Sequence, residues 1–129
     1  MLVSVFGNPD LKEDSLVVGL VPQLRRQFPG VEFRIEDPSE GLAPPEDDLW
    51  VIVDVAGGID GVKVLDDLER LDSLRRASVH DYDLAMELKL LAKLGRLKKF
   101  KIIAVPVGMR QNAALQGIIK VLQEISNSS

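Results

Sequence analysis

Short apolar runs that alternate with longer amphipathic segments constrain the fold of this chain more than any other feature of its sequence. Five segments have the length and the Val/Ile content of strands, at residues 2–6, 31–35, 49–53, 62–65 and 100–105. Residues 31–35 (VEFRI) alternate apolar and polar side chains, as a half-exposed strand does. Apolar side chains recur at helical spacing in three further segments, at residues 16–24, 81–95 and 112–125. Strands that alternate with helices form parallel sheets covered on both faces. We therefore predict an α/β fold of three layers, α/β/α, with a mainly parallel twisted sheet of about five strands.

The size of the chain fits one domain. Its 129 residues, 46% of them hydrophobic and 28% charged, suit a single soluble domain over residues 1–129. The sequence contains no cysteine, which excludes disulfides, thiolate metal sites and cysteine nucleophiles. It begins with a short apolar run without a basic leader, and no apolar segment reaches about 18 residues. We expect a cytoplasmic monomer that does not bind a membrane.

The charge of the chain is unevenly divided. Residues 1–60 hold four basic and twelve acidic side chains, whereas residues 61–129 hold twelve basic and eight acidic ones. A general nucleic-acid-binding protein needs a basic face, and the acidic first half argues against one. The densest basic stretch, with Arg96, Lys98, Lys99 and Lys101, lies at the start of a predicted strand, where a solvated loop is the simpler interpretation. We expect no nucleic-acid partner.

Several common catalytic motifs are absent from the sequence. It has no GxGxxG or GxxxxGK[ST] to hold nucleotide phosphates, and no HExxH or GxSxG. Because His80 is the single histidine, no site can use two imidazoles. Nucleotide-binding enzymes of these types and the common serine, cysteine and zinc-helix hydrolases are therefore disfavoured.

An oxygen-rich set of side chains with one imidazole remains. Asp10, Glu13 and Asp14 follow the first predicted strand, Asp54 follows the central one, and His80 precedes the clearest helix. The carboxyl ends of parallel strands border the ligand crevice, where two carboxylates and one histidine can bind a borderline divalent cation. Helix capping and contacts with the helix dipole explain the same acids equally simply, and a surface position explains the histidine. The residues alone leave both interpretations open.

Three short motifs follow one another along the chain. The first is a Gly-Asn after an apolar strand with an acidic pair at a helix start, GNPDLKED at residues 7–14. The second is an apolar strand that ends in an aspartate, LWVIVDV with Asp54. The third is Ser-x-His-x-x-x-Leu at a helix start, SVHDYDL at residues 78–84. In this order, and over most of the chain, the motifs resemble those of the [NiFe]-hydrogenase maturation endopeptidases.

The resemblance implies an endopeptidase that removes the C-terminal extension of a [NiFe]-hydrogenase large subunit precursor after nickel insertion. It implies that Asp14, Asp54 and His80 contact the nickel that the precursor carries, which makes this metal the recognition element. Asp14 and Asp54 are then also the candidate catalytic residues, and Glu13 is the reserve ligand. Asp37 resembles a further acidic position beside the site. Carboxylate oxygen and neutral imidazole are ligands that suit nickel.

Two points stay open at the level of the sequence. A carboxylate acting as general base and a carbonyl polarised by the metal are both reasonable routes to hydrolysis. Ser-Leu-Val at residues 15–17 replaces the glycines that follow the acidic pair in the family, and the segment after residue 105 is short. These departures motivate an alternative from another class, a non-catalytic metal- or partner-binding module of the same fold. A receiver-like domain is disfavoured, because VPV at residues 105–107 stands where a receiver needs a lysine.

Overall fold

The computed structural model describes most of the chain. The backbone is described for residues 1–7, 12–37, 42–46, 48–73, 75–76 and 79–127, and the side chains of residues 12–14, 71–73, 75–76 and 79–83 lie outside this description. The elements are β1 (Leu2–Phe6), α1 (Lys12–Val18), α2 (Val21–Gln27), β2 (Glu32–Glu36), β3 (Trp50–Gly57), β4 (Lys63–Leu65), α3 (Leu68–Ser73), β5 (Arg75–Arg76), α4 (Val79–Lys93), β6 (Phe100–Pro106) and α5 (Gln111–Asn127). Among the described residues, no helix combines the length and the hydrophobicity needed to cross a membrane.

The sheet is mainly parallel, as predicted. Its strands lie in the order β2-β1-β3-β6-β4, and β5 pairs with β3 outside this path. β1, β2, β3 and β6 run parallel, whereas β4 pairs antiparallel with β6, and β5 antiparallel with β3. The α/β class and the number of main strands are thereby confirmed. β5 consists of two arginines, which carry no apolar pattern, and the sequence does not predict it.

Alternation along the strands divides the core into two layers. In β3, Val51, Val53 and Val55 pack in one cluster with α1, α2 and α5. Trp50 and Ile52 point to the opposite face and pack in a second cluster with α4. A strand that is buried on both faces requires a continuous apolar run, which is the pattern that β3 shows. Helices on both faces of one sheet give the three layers expected from the sequence.

The first predicted helix is two helices in the structure. α1 ends at Val18, and α2 begins three residues later with Pro22 in its first turn. Pro22 has no N–H to donate to the carbonyl of Val18, so a continuous helix would lose a hydrogen bond there and meet a steric clash. α1 also begins at Lys12, ahead of Asp14 and Ser15. Asp14 and Ser15 directly precede the apolar positions at residues 16–24 and are therefore the N-cap residues that the sequence predicts for this helix. The start at Lys12 shows that this prediction is wrong.

A buried hydrogen bond joins β1 and β3 beneath α4. The indole N–H of Trp50 donates to the hydroxyl oxygen of Ser4 at 2.9 Å, and both residues are buried. We expect Ser4→Ala to lower the free energy of unfolding by about 1–3 kcal/mol, because the indole N–H then loses its partner. Urea unfolding measures this loss. The double variant Ser4→Ala/Trp50→Phe removes both partners and should lose less than the sum of the single variants, and strict additivity would contradict the prediction.

Candidate functional site

Asp54 lies near the carboxyl end of the central strand. β3 pairs with β6 as far as Ala56, which is opposite Pro106, so Asp54 lies inside the strand. The sequence pattern had placed Asp54 directly after the strand. The pairing of β3 with β1, in contrast, ends at Val53. Asp54 is therefore the first β3 residue beyond that pairing, and its side chain is half-buried. By alternation from Ile52 it faces the α4 layer.

β5 brings the start of α4 to the same edge of the sheet. Ala56 pairs with Pro106 on one side of β3, so its antiparallel pair with Arg76 uses the other side, where the β1 pairing has ended. α4 begins at Val79, three residues after Arg76, and His80 is its second residue. The helix therefore begins beside the end of β3. The predicted start at residue 81 is two residues late.

α1 starts from this edge on the opposite face of the sheet. β1 is parallel to β3 and ends at Phe6, and α1 begins at Lys12 and packs against both strands. Glu13 and Asp14 are the second and third residues of α1. The topology thus brings the three chain segments that hold Asp14, Asp54 and His80 to one edge. The side chains of Glu13, Asp14 and His80 lie outside the described residues, so their contacts stay predictions.

The register of the strands places further charged residues in the row of Asp54. Asp54 pairs with Ala104 on β6, and Ala104 pairs with Lys63 on β4. On the other side, Phe6 follows the last β1–β3 pair and is itself opposite Glu36 on β2. Residues in one row of a sheet share a face, and Phe6 packs in the α4 layer. Glu36, Asp54 and Lys63 therefore lie in one row on the α4 face.

Glu36 has a polar atom without a partner. Its Oε2 atom is buried and accepts no hydrogen bond from the described part of the chain. A buried carboxylate oxygen that accepts no hydrogen bond lowers the stability of the fold. Such atoms are found where a ligand or a water molecule donates the missing hydrogen bond. The neighbouring Asp37, the acid that the family resemblance picked out, directly follows β2 and is half-buried. Sequence reasoning missed both Glu36 and Lys63. Alternation along EFRIE and KVL could have indicated which neighbours share a face of the strand with each of them.

The described side chains contain no cluster of three or more His, Asp or Glu residues close enough to hold a metal ion. Asp14 and His80 are not among those side chains. Asp54 makes an interaction within the protein. The predicted set of two carboxylates and one imidazole has the chemistry of a site for a borderline divalent cation.

The opposite, amino edge of the sheet carries charges of both signs. The carboxylate of Asp48 accepts hydrogen bonds from the Met1 ammonium at 2.5 Å and from the Leu49 N–H at 2.8 Å. These contacts, the ammonium first, hold the pKa of Asp48 below its ordinary value. Two small cavities of about 220 and 130 Å³ there are lined by acids and bases together, which include Glu46, Asp48, Arg96, Lys98 and Lys99. The basic stretch therefore faces acids of its own chain, which agrees with a solvated loop.

The fold has a counterpart among solved structures. The hydrogenase maturating endopeptidase HybD from E. coli is similar to this chain with a TM-score of 0.66 and 20% sequence identity, over 95% of this chain and 91% of that chain. No protein-family model and no curated protein sequence matches the chain. At this identity the likeness establishes the fold. The resemblance inferred from the sequence motifs is thereby confirmed at the level of the fold: this chain shares the α/β architecture of a hydrogenase maturating endopeptidase over nearly its whole length.

Proposed function

We propose that this protein is an endopeptidase that removes the C-terminal extension of a [NiFe]-hydrogenase large subunit precursor after nickel insertion. Residues 1–129 act as one cytoplasmic domain, and the chain works as a monomer. The nickel belongs to the precursor, and Asp14, Asp54 and His80 contact it. The metal is thus part of the substrate, and a precursor without it is not cut.

The observation that carries this proposal is the convergence of α1, β3 and α4 on one edge of the sheet. The elements that carry Asp14, Asp54 and His80 are far apart in the sequence, and the approach of α1, β3 and α4 to this edge supports the proposed set. Crevices at the carboxyl ends of parallel strands are the usual ligand sites of such sheets. The similarity to HybD over nearly the full length of both chains adds support for peptidase activity.

The proposed residues would have two roles, binding of the cation and transfer of a proton. The imidazole of His80 and the carboxylates of Asp14 and Asp54 are donors that suit a borderline cation such as nickel. A precursor without the cation offers these donors no Lewis acid to bind, so we expect the protein to bind it weakly. A carboxylate at this edge, Asp54 first because it lies on a rigid strand, would take the proton of the attacking water.

A non-catalytic binding module of the same fold is the second candidate. The residues that replace the family's glycines after the acidic pair are part of the core: Val17 is fully buried, and Leu16 and Val18 pack against the same cluster. Packed side chains at residues 16–18 of α1 leave less room for a substrate backbone beside Asp14 than glycines would. Such a protein would bind the large subunit without shortening it.

Intact-mass spectrometry of the precursor, with and without nickel, separates these candidates. We expect the protein to remove a C-terminal peptide from the nickel-loaded precursor alone, because the metal completes the binding site. Binding without a change in mass would support the module, provided that an established protease of this type cuts the same precursor. Cleavage of loaded and unloaded precursor at equal rates would contradict the role of nickel.

A further inference from the structure

Lys63 is a cation in the row of side chains that contains Asp54. It is the first residue of β4 and is opposite Ala104, which is in turn opposite Asp54. Leu65, two residues further along β4, packs in the α4 layer, so alternation places Lys63 on that same face. Because β4 is antiparallel to β6, its first residue lies at the carboxyl edge of the sheet. Lys63 therefore lies on the same face and at the same edge as the candidate site.

The side chain of Lys63 has a donor group to offer. It is exposed, and its ammonium forms no ion pair with any residue in the described part of the chain. A lysine carries three N–H donors on a flexible four-carbon stem. In the row, the small side chain of Ala104 separates Lys63 from Asp54. The ammonium is therefore available to an acceptor that is held beside Asp54.

The separation of Lys63 and Asp54 suits the hydrolysis of a peptide bond. Two strand spacings put their Cα atoms about 10 Å apart. In hydrolysis a base contacts the attacking water, the water lies near the carbonyl carbon, and a donor contacts the carbonyl oxygen. These contacts are each about 3 Å long, and with the carbonyl bond they span about 10 Å. One peptide group and one water molecule therefore fit between the two side chains, and the flexible lysine stem adjusts to them.

We propose that Lys63 is a catalytic residue that donates a hydrogen bond to the oxyanion formed from the scissile carbonyl. This role rests on the peptidase function and on the role of Asp54 proposed above. Water attacks the carbonyl carbon, a C–O bond forms, the π electron pair moves onto the carbonyl oxygen, and Asp54 takes a proton from the water. The oxyanion then collapses, the C–N bond breaks, and the leaving nitrogen takes that proton from Asp54. Lys63 stays protonated throughout, and its charge offsets that of the oxyanion.

The acidic residues near Asp54 and Lys63 do not fit this role. Glu36 lies two strands from Asp54 on the other side of the row, but an ionised carboxylate has no proton to donate to an oxyanion. Three exposed aspartates, Asp60, Asp66 and Asp67, precede and follow β4, so this region does not attract an anionic chain as a whole. The proposed role needs no such attraction, because one donor acts on one atom that becomes charged during the reaction.

The rate of processing of nickel-loaded precursor at several precursor concentrations tests this role. We expect Lys63→Met, which keeps an unbranched side chain without N–H donors, to lower kcat by about 100-fold and to leave KM within about threefold, because the contact forms in the transition state. Lys63→Arg keeps a charged donor and should lose about tenfold or less. Lys120→Met is the matched control, since it removes an exposed lysine on α5, across the sheet, and should stay within about twofold of the wild-type rate. Circular dichroism confirms that each variant is folded.

Each outcome decides the role of Lys63. An unchanged kcat in Lys63→Met, an equal loss in Lys120→Met, or a loss in Lys63→Arg as large as that in Lys63→Met would overturn it. A raised KM with an unchanged kcat would also overturn it, because Lys63 would then bind the client before the reaction begins. If the wild-type protein shortens the loaded precursor and Lys63→Met does so at the same rate, the lysine assignment fails alone and the protease stands. If the wild-type protein does not shorten the precursor, the proposed protease fails and the role of Lys63 fails with it.

Discussion

Asp54→Asn is expected to slow the processing of nickel-loaded precursor by about 100-fold or more, which is the usual size of the effect when a general base or a metal-contacting carboxylate is lost. The substitution keeps the shape of the side chain and removes its charge and basicity. Asp54 is half-buried in the central strand, and a neutral amide of the same size occupies the same space there. The rate at which the C-terminal peptide appears, followed by intact mass, measures the effect.

Asp66→Asn is the matched control for this substitution. Asp66 directly follows β4, is exposed and lies outside the row that contains Asp54. Removal of its charge should leave processing within about twofold of the wild-type rate, as is typical of surface substitutions. If Asp54→Asn processed the precursor as fast as Asp66→Asn does, Asp54 would have no part in the reaction.

Leu88→Ala is expected to lower the free energy of unfolding by about 2–5 kcal/mol. Leu88 is completely buried in the layer between α4 and the sheet. Its truncation removes apolar contacts and leaves a cavity in a closely packed core. Chemical denaturation measures the loss as a shift of the unfolding midpoint with an unchanged slope.

Leu90→Ala makes the same chemical change two residues further along the same helix. Leu90 is 50% exposed, so the substitution removes little buried surface, and the two variants share the same change in helix propensity. We expect its effect to stay within about 0.5 kcal/mol. Equal destabilisation by the two variants would mean that the outer face of α4 is covered in solution, since only a covered Leu90 could cost as much as Leu88.

Local sequence patterns predicted the fold well because each main strand carries its own signal. β3 is a continuous apolar run and β2 alternates, and both patterns follow directly from burial on two faces or one. The same reasoning found Asp54 as an acid at the end of an apolar run. The break between α1 and α2 was missed, although Pro22, which cannot continue a helix, marks it in the sequence.

Pairing between distant strands is the information that local patterns lack. Glu36 and Lys63 share a row with Asp54 only because β2 lies beside β1 and β4 beside β6 in one specific register. A shift of one residue in either pairing would move the charged side chain to the other face of the sheet. The family resemblance therefore directed attention to Asp37, whereas the register directs it to Glu36.

The central position of β3 has a consequence for how the protein is made. β3 pairs with β1, which precedes it by about 50 residues, and with β6, which follows it by as many. Contacts between distant parts of a chain form late, because a long loop must close before they can stabilise anything. During synthesis the edge that holds Asp54 lacks one flanking strand until residue 106 has left the ribosome. A nascent chain therefore lacks part of the sheet around Asp54, and the proposed activity would appear only with the finished sheet.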